Sequence, residues 1–162
     1  MTQEMYDQEL INIPILVDVP YRFAAGRYMA RFLRELRDNG KFYGVRCPSC
    51  KRVMIPPRIV CARCHVKSDD WVELGNEGTL EAFTIMFFPM TDPTSGKPHN
   101  PPFAYGSVKL DRCDAPVDHF LNIEPDMEKI KVGMRFRAVL KPREERIGDL
   151  SDILYFEPVK GK

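Results

Sequence analysis

Four cysteines, Cys47, Cys50, Cys61 and Cys64, stand in a C-x2-C-x10-C-x2-C pattern, and nothing else in this chain constrains its fold so strongly. Two such knuckles can set four thiolates at the corners of one tetrahedron, the arrangement a structural zinc ion prefers. Four thiolates leave no open coordination position, so the pattern points to a metal that holds structure together rather than one that performs chemistry. The spacing also divides the chain into a helical front (1–40), a small metal module (41–70) and a strand-rich back half (71–162).

The stretch from Lys41 to Lys67 carries seven Lys and Arg (Lys41, Arg46, Lys51, Arg52, Arg58, Arg63, Lys67) and no acidic residue, although the whole chain has a net charge of only +1. A zinc tetrathiolate contributes about −2, which leaves a local surplus of roughly +5. Part of that surplus steadies the thiolates, and the rest is free to meet an anion or an acidic partner. Arg58 and Arg63, on or beside the knuckles, are the leading candidates for that contact. The first twenty residues contain Glu4, Asp7, Glu9 and Asp18 and no basic opening, unlike a signal peptide. No apolar run approaches the ~20 residues of a membrane span. A cytoplasmic location is expected, and there the paired cysteines read as ligands rather than disulfides.

Residues 1–19 are polar and then apolar (Ile11 to Val17), with Pro14 arguing for an extended arm. Pro20 to Gly40 reads as a helix, opened by the proline and stopped by Asn39-Gly40. Tyr21, Ala25, Tyr28, Phe32 and Leu36 form an apolar stripe that Met29 and Leu33 widen. The stripe packs within this chain or meets a partner. Between the knuckles, Val53 to Val60 is a short apolar connector in which Pro56-Pro57 forbids a regular ladder. His65, directly after Cys64, is a conceivable substitute ligand that a full cysteine set does not need.

Beyond Trp71 the hydrophobic period changes to two, with turn residues between runs. Strands are expected over Thr79–Phe88, Phe103–Leu110, Val117–Ile123, the run from Met134, and Ile153–Val159. Phe83 to Phe88 is apolar on both faces, so both should be covered. A long proline-rich loop is expected over Pro89–Pro102. In the fourth strand Met134, Phe136, Ala138 and Leu140 face inward, and Arg135, Arg137 and Lys141 outward. Five such strands fit an OB-type Greek-key barrel, with a two-sheet sandwich as the competing architecture. The expected fold is thus mainly β with an N-terminal helix and a zinc ribbon, and strand pattern alone leaves both the barrel and the sandwich open.

Several segments, in order, carry a resemblance to a known family: Arg31 to Leu36, Gly44 to Cys50, Pro56 to Cys64, Gly78 to Thr84, Pro101 to Asp111, Lys131 to Met134 and Asp152 to Pro158. The chain resembles the zinc-ribbon plus OB-fold proteins that accompany acyl-CoA enzymes as small subunits of thiolase-type complexes. That resemblance implies a rubredoxin-like zinc ribbon followed by a five-stranded OB-fold barrel, in a non-catalytic accessory subunit with one structural zinc. It also implies a thiolase-like catalytic partner holding the reactive cysteine and a CoA thioester near the interface, with Arg58 and Arg63 as candidate contacts for a CoA phosphate or for the partner. Where the family often has Gly after Asp111, this chain has Arg112-Cys113, which alters the local turn.

No catalytic residue is expected on this chain. Cys113 lies between Asp111 and Asp114, whose charges raise a thiol pKa. His119 shares a face with Val117 and Leu121 and reads as a core histidine, and His99 as a loop residue. The alternative function is binding of single-stranded nucleic acid along Arg135, Arg137 and Lys141. The near-zero net charge argues against it.

Overall fold

The computed structural model describes residues 23–91 and 98–159, so the expected arm and the helix start at Pro20 lie outside the described residues. Helix α1 spans Gly26–Asn39, with Ala25 at the N-cap making no side-chain bond to the first N–H groups. Of the expected stripe, Tyr21 lies outside the described residues, Tyr28, Phe32 and Leu36 are buried, and Ala25 is exposed ahead of the helix. Met29 and Leu33 are half-buried against the core. At the other end Gly40 is left-handed (φ 64), as Asn39-Gly40 implied. Its N–H donates to the Leu36 carbonyl at 3.1 Å and that of Lys41 to Glu35 at 3.3 Å, which satisfies two of the helix's last carbonyls.

Strand β1 (Phe42–Arg46) is central in a three-stranded antiparallel sheet between β2 (Val53–Met54) and β3 (Asp70–Leu74). Strand β2 stops after two residues, where the approaching Pro56-Pro57 pair ends the ladder. Strand β3 completes the ribbon sheet and leads into β4 (Glu77–Met86).

The barrel is made of β4, β7 (Phe103–Leu110), β8 (Pro116–Leu121), β9 (Arg135–Leu140) and β10 (Ile153–Pro158). Strand β4 pairs with β7 and β9, β7 with β8, and β10 with β9, all antiparallel. A parallel contact of Phe156 with Leu121, between β10 and β8, completes the ring. A closed ring decides for the OB-type barrel over the sandwich, because a sandwich leaves two open sheets. Every second residue of β7 is buried, and in β9 Phe136 and Ala138 point in while Arg135 and Arg137 point out. Phe32 and Leu36 of the helix, Phe42, Val53 and Leu74 of the ribbon, and Leu80, Val108, Phe136 and Phe156 of the barrel belong to one continuous core.

Two expectations are corrected. Strand β4 ends at Met86, and Phe87 and Phe88 are 76% and 60% exposed, so no described residue covers that end of the apolar run. The proline-rich segment is not all loop: Met90–Thr91 (β5) pairs with Pro98–His99 (β6).

Candidate metal centre and the adjoining arginine cleft

The two knuckles are the same turn built twice. In the first, the Cys47 N–H donates to the Arg52 carbonyl (2.8 Å) and the Lys51 N–H to the Cys47 carbonyl (3.0 Å). In the second, Cys61 donates to Val66 (3.0 Å) and His65 to Cys61 (2.9 Å). The residue after each second cysteine, Lys51 or His65, takes a positive φ (64 and 53), which folds each loop back on itself. His65 thus has a backbone task, and its ring is not among the grouped ligand atoms.

The turns bring the sulfurs of Cys47, Cys50, Cys61 and Cys64 within 4.8 Å of one another, with Cys50 and Cys61 3.8 Å apart. Zinc–sulfur bonds of about 2.3 Å at tetrahedral angles require sulfur–sulfur edges of about 3.8 Å, so the donor set fits the ion. Its electrostatics fit as well. Burial opposes ionisation of Cys47, but the N–H groups of Cys50 and Ser49 and neighbouring thiols outweigh it and bring the group down to about 6. At Cys50 the Arg52 N–H favours the thiolate, yet burial and the other three thiols push it up to about 11. Four thiolates at this separation need a cation to coexist.

The ribbon is fastened at both sides. On the helix side, the Tyr28 hydroxyl donates to the Ser68 carbonyl (2.9 Å) and to Asp69, its ring stacks on Trp71 (5.4 Å), and Arg31 lies 4.3 Å over the Trp71 ring. On the barrel side, the Val53 N–H donates to Asp114 Oδ2 and the Asp114 N–H to the Val53 carbonyl, both at 2.9 Å. This reciprocal pair was not foreseen, because Asp114 reads in the sequence only as a charge beside Cys113. Replacing Asp114 with Ala leaves the Val53 N–H without its acceptor. A loss of about 1–2 kcal/mol in a urea titration is expected, with the zinc retained.

Cys113 is buried and its Sγ donates to the Val53 carbonyl (3.4 Å). Its pKa is raised, as expected, but burial is the first cause and Asp114 a lesser one. Asp111 is instead clasped by Arg135 through two bonds of 2.7 and 2.6 Å. His119 packs edge-on against Phe120 and Phe156, in keeping with a packing role. His99 is more than a loop residue: it stacks on Phe120 at 4.0 Å, in a cluster with Phe103 and Tyr105. The cations of the nucleic-acid reading already have partners. Arg135 binds Asp111, Arg137 binds Glu157 (2.6 Å), and Lys141 donates to Ser151 Oγ (2.9 Å).

Arg58 and Arg63 both line one cleft between the inter-knuckle connector and the turn at Asp114-Ala115, and Arg52 joins them. Sequence reasoning missed Arg52, whose place on the cleft depends on how the first knuckle folds back.

The geometry now on the page has counterparts. Residues 34–70 match the ChsH2 rubredoxin-like zinc ribbon domain, and residues 71–141 match the ChsH2 C-terminal OB-fold domain. The chain belongs to this family of zinc-ribbon plus OB-fold proteins. A DUF35 domain-containing scaffold protein of Methanocaldococcus jannaschii is 22% identical over 138 residues, covering 83% of this chain and 93% of that protein. Among solved structures, the Ltp2-ChsH2(DUF35) aldolase has a similar chain (TM-score 0.57, 22% identity, 85% of this chain and 98% of that one). A DUF35-family protein of unknown function from Sulfolobus solfataricus is also similar (TM-score 0.52, 21% identity, 67% and 75%). No helix among the described residues is long and apolar enough to cross a membrane.

Proposed function

We propose that this chain is a non-catalytic accessory subunit, held together by one zinc ion on Cys47, Cys50, Cys61 and Cys64, that braces the catalytic subunit of a thiolase or related acyl-CoA enzyme. The observation that carries the reading is the pairing of a closed four-thiol site with an aromatic edge that no described residue covers. The metal position offers nothing to a substrate, whereas Phe87 and Phe88 at the end of β4 offer a partner the kind of anchor that interfaces favour. The M. jannaschii relative described as a scaffold and the DUF35 chain of the Ltp2-ChsH2 aldolase support a role beside another protein. The thiolase-like identity of that partner, a CoA thioester at the interface and a cytoplasmic setting come from the sequence resemblance. At its finest that resemblance points to the small subunit of benzoylsuccinyl-CoA thiolase, from anaerobic toluene breakdown.

Co-expression with a thiolase-like subunit should yield one peak on gel filtration at micromolar concentration. Phe87→Ser combined with Phe88→Ser should separate the two proteins while leaving the zinc in place. Two peaks from the unaltered pair would defeat the proposal.

The competing reading, single-stranded nucleic acid on the barrel, draws on the cluster of His99, Phe103, Tyr105 and Phe120. Bases do stack on such rings, but a positive groove has to hold the backbone beside them. Here β8 sets Asp118 opposite Ser107, next to the rings, and Lys109 is paired with Glu81.

A further inference from the structure

The cleft beside the metal centre has a volume of about 240 Å³. Its apolar wall includes Val53, Ile55 and Ala115, and its charged rim is Arg52, Arg58 and Arg63. All three arginines are exposed, and no ion pair or side-chain hydrogen bond among the described residues engages them. Five other arginines on the described surface, Arg37, Arg46, Arg135, Arg137 and Arg143, each hold a carboxylate, whereas Arg27 and Arg34 on helix α1 hold none among the described residues but do not border this cleft. The carboxylate on the cleft wall, Asp114, is engaged by the Val53 N–H.

The simpler task for these guanidiniums is to offset the thiolates, since Cys61 also borders the cleft. The hydrogen bonds at the Cys47 and Cys50 sulfurs come from the backbone N–H groups of Ser49, Cys50 and Arg52 and from the neighbouring thiols, however. No guanidinium among the described residues is bonded to a sulfur, so three donor forks remain directed at solvent around an apolar pocket.

We propose that this cleft is a phosphate-binding site, in which Arg52, Arg58 and Arg63 close on the phosphoester end of an elongated ligand. Guanidinium forks match phosphate oxygens two at a time, which an ammonium cannot do. The cleft is smaller than the roughly 300–1,000 Å³ of a site that encloses a whole ligand. It therefore takes the anionic end and leaves the remainder projecting outward. A CoA thioester has this build, with phosphates at one end and the acyl group at the other; in naming that ligand class the inference rests on the function proposed above. Arg52 and Arg63 sit within the two knuckles and Arg58 on the connector between them, so the zinc ion fixes the spacing of all three forks.

The test uses the full zinc-loaded chain without any partner. Adenosine 3′,5′-bisphosphate, CoA and pantetheine are titrated by calorimetry. Saturable binding of the first two and none of pantetheine is expected. Arg58→Gln and Arg63→Gln should each weaken it about tenfold or more while one zinc is retained. Binding of the bisphosphate with exclusion of CoA would assign the site to a free nucleotide and overturn the CoA assignment. Absence of saturable binding, affinity unchanged in both variants, or loss of zinc from them would overturn the site itself, the last by showing that the arginines serve the thiolates. A chain that binds no phosphate but co-elutes with its partner would defeat this inference alone.

Discussion

Cys47→Ser, or exhaustive chelation, is expected to unfold the ribbon and release it from the barrel. Freshly purified protein should contain one equivalent of zinc, and the altered or chelated protein far less than half. The expectation follows from how little else orders the knuckles. Between β2 and β3 regular pairing among the described residues is limited to an isolated bridge of Val60 with Lys67, and Ile59 and Val60 are 51% and 45% exposed. Such a segment buries too little apolar area to offset its ordering entropy. Structural zinc typically supplies on the order of 10 kcal/mol to a small module of this type. Because thiols must lose their protons to bind, zinc should also dissociate more readily as the pH falls. Far-UV circular dichroism and metal analysis of the same samples would check both statements. A chelated protein that stays fully folded would contradict them.

Phe136→Ala should produce the largest loss in the barrel, about 3–5 kcal/mol. Phe136 is fully buried on β9 and lies directly opposite Gly78 of β4. Gly78 is tied to a close approach of a different kind: an added Cβ would come within 2.3 Å of the Lys109 carbonyl oxygen and 2.8 Å of the Leu110 Cα. Both are backbone atoms of the neighbouring strand, so Gly78→Ala must push β4 and β7 apart, at a cost of about 1–3 kcal/mol or more. Leu154→Ala is the control. At 41% exposure on β10, Leu154 should matter far less, with a change of about 0.5 kcal/mol or less. Urea titrations of the three variants rank these effects, and equal midpoints for Phe136→Ala and Leu154→Ala would remove the basis for the ranking.

Much of the architecture was legible because its causes are local. Cysteine spacing identifies the ribbon, Asn39-Gly40 ends the helix, and strict alternation places Phe103–Leu110 as a strand with the bounds observed. What escaped detection depends on the third dimension. The five-stranded barrel was expected, but the resemblance rather than the strand pattern chose it over a sandwich, since closure through the Phe156–Leu121 contact joins residues far apart in sequence and has no local signal. The helix start suggested at Pro20 lies outside the described residues; within them, residues 23–25 are not helical and the helix opens at Gly26. The apolar run ending in Phe87-Phe88 resembled a doubly buried strand, and composition alone cannot tell a core from a surface that another protein covers. At the candidate site, spacing was enough to group the four cysteines. Arg52 was hidden, since only the left-handed turn at Lys51 brings its neighbour back toward the connector.

The two-way bond between Val53 and Asp114, at the edge of a hydrophobic interior shared by both modules, also bears on how such proteins can be recombined. Neither module is a cassette. A chimaera that borrows the ribbon of a relative would have to import that relative's own barrel loop along with it, or accept a loosened seam. Divergence within the family should therefore show the two surfaces of that seam changing in concert, while the cysteines themselves stay put.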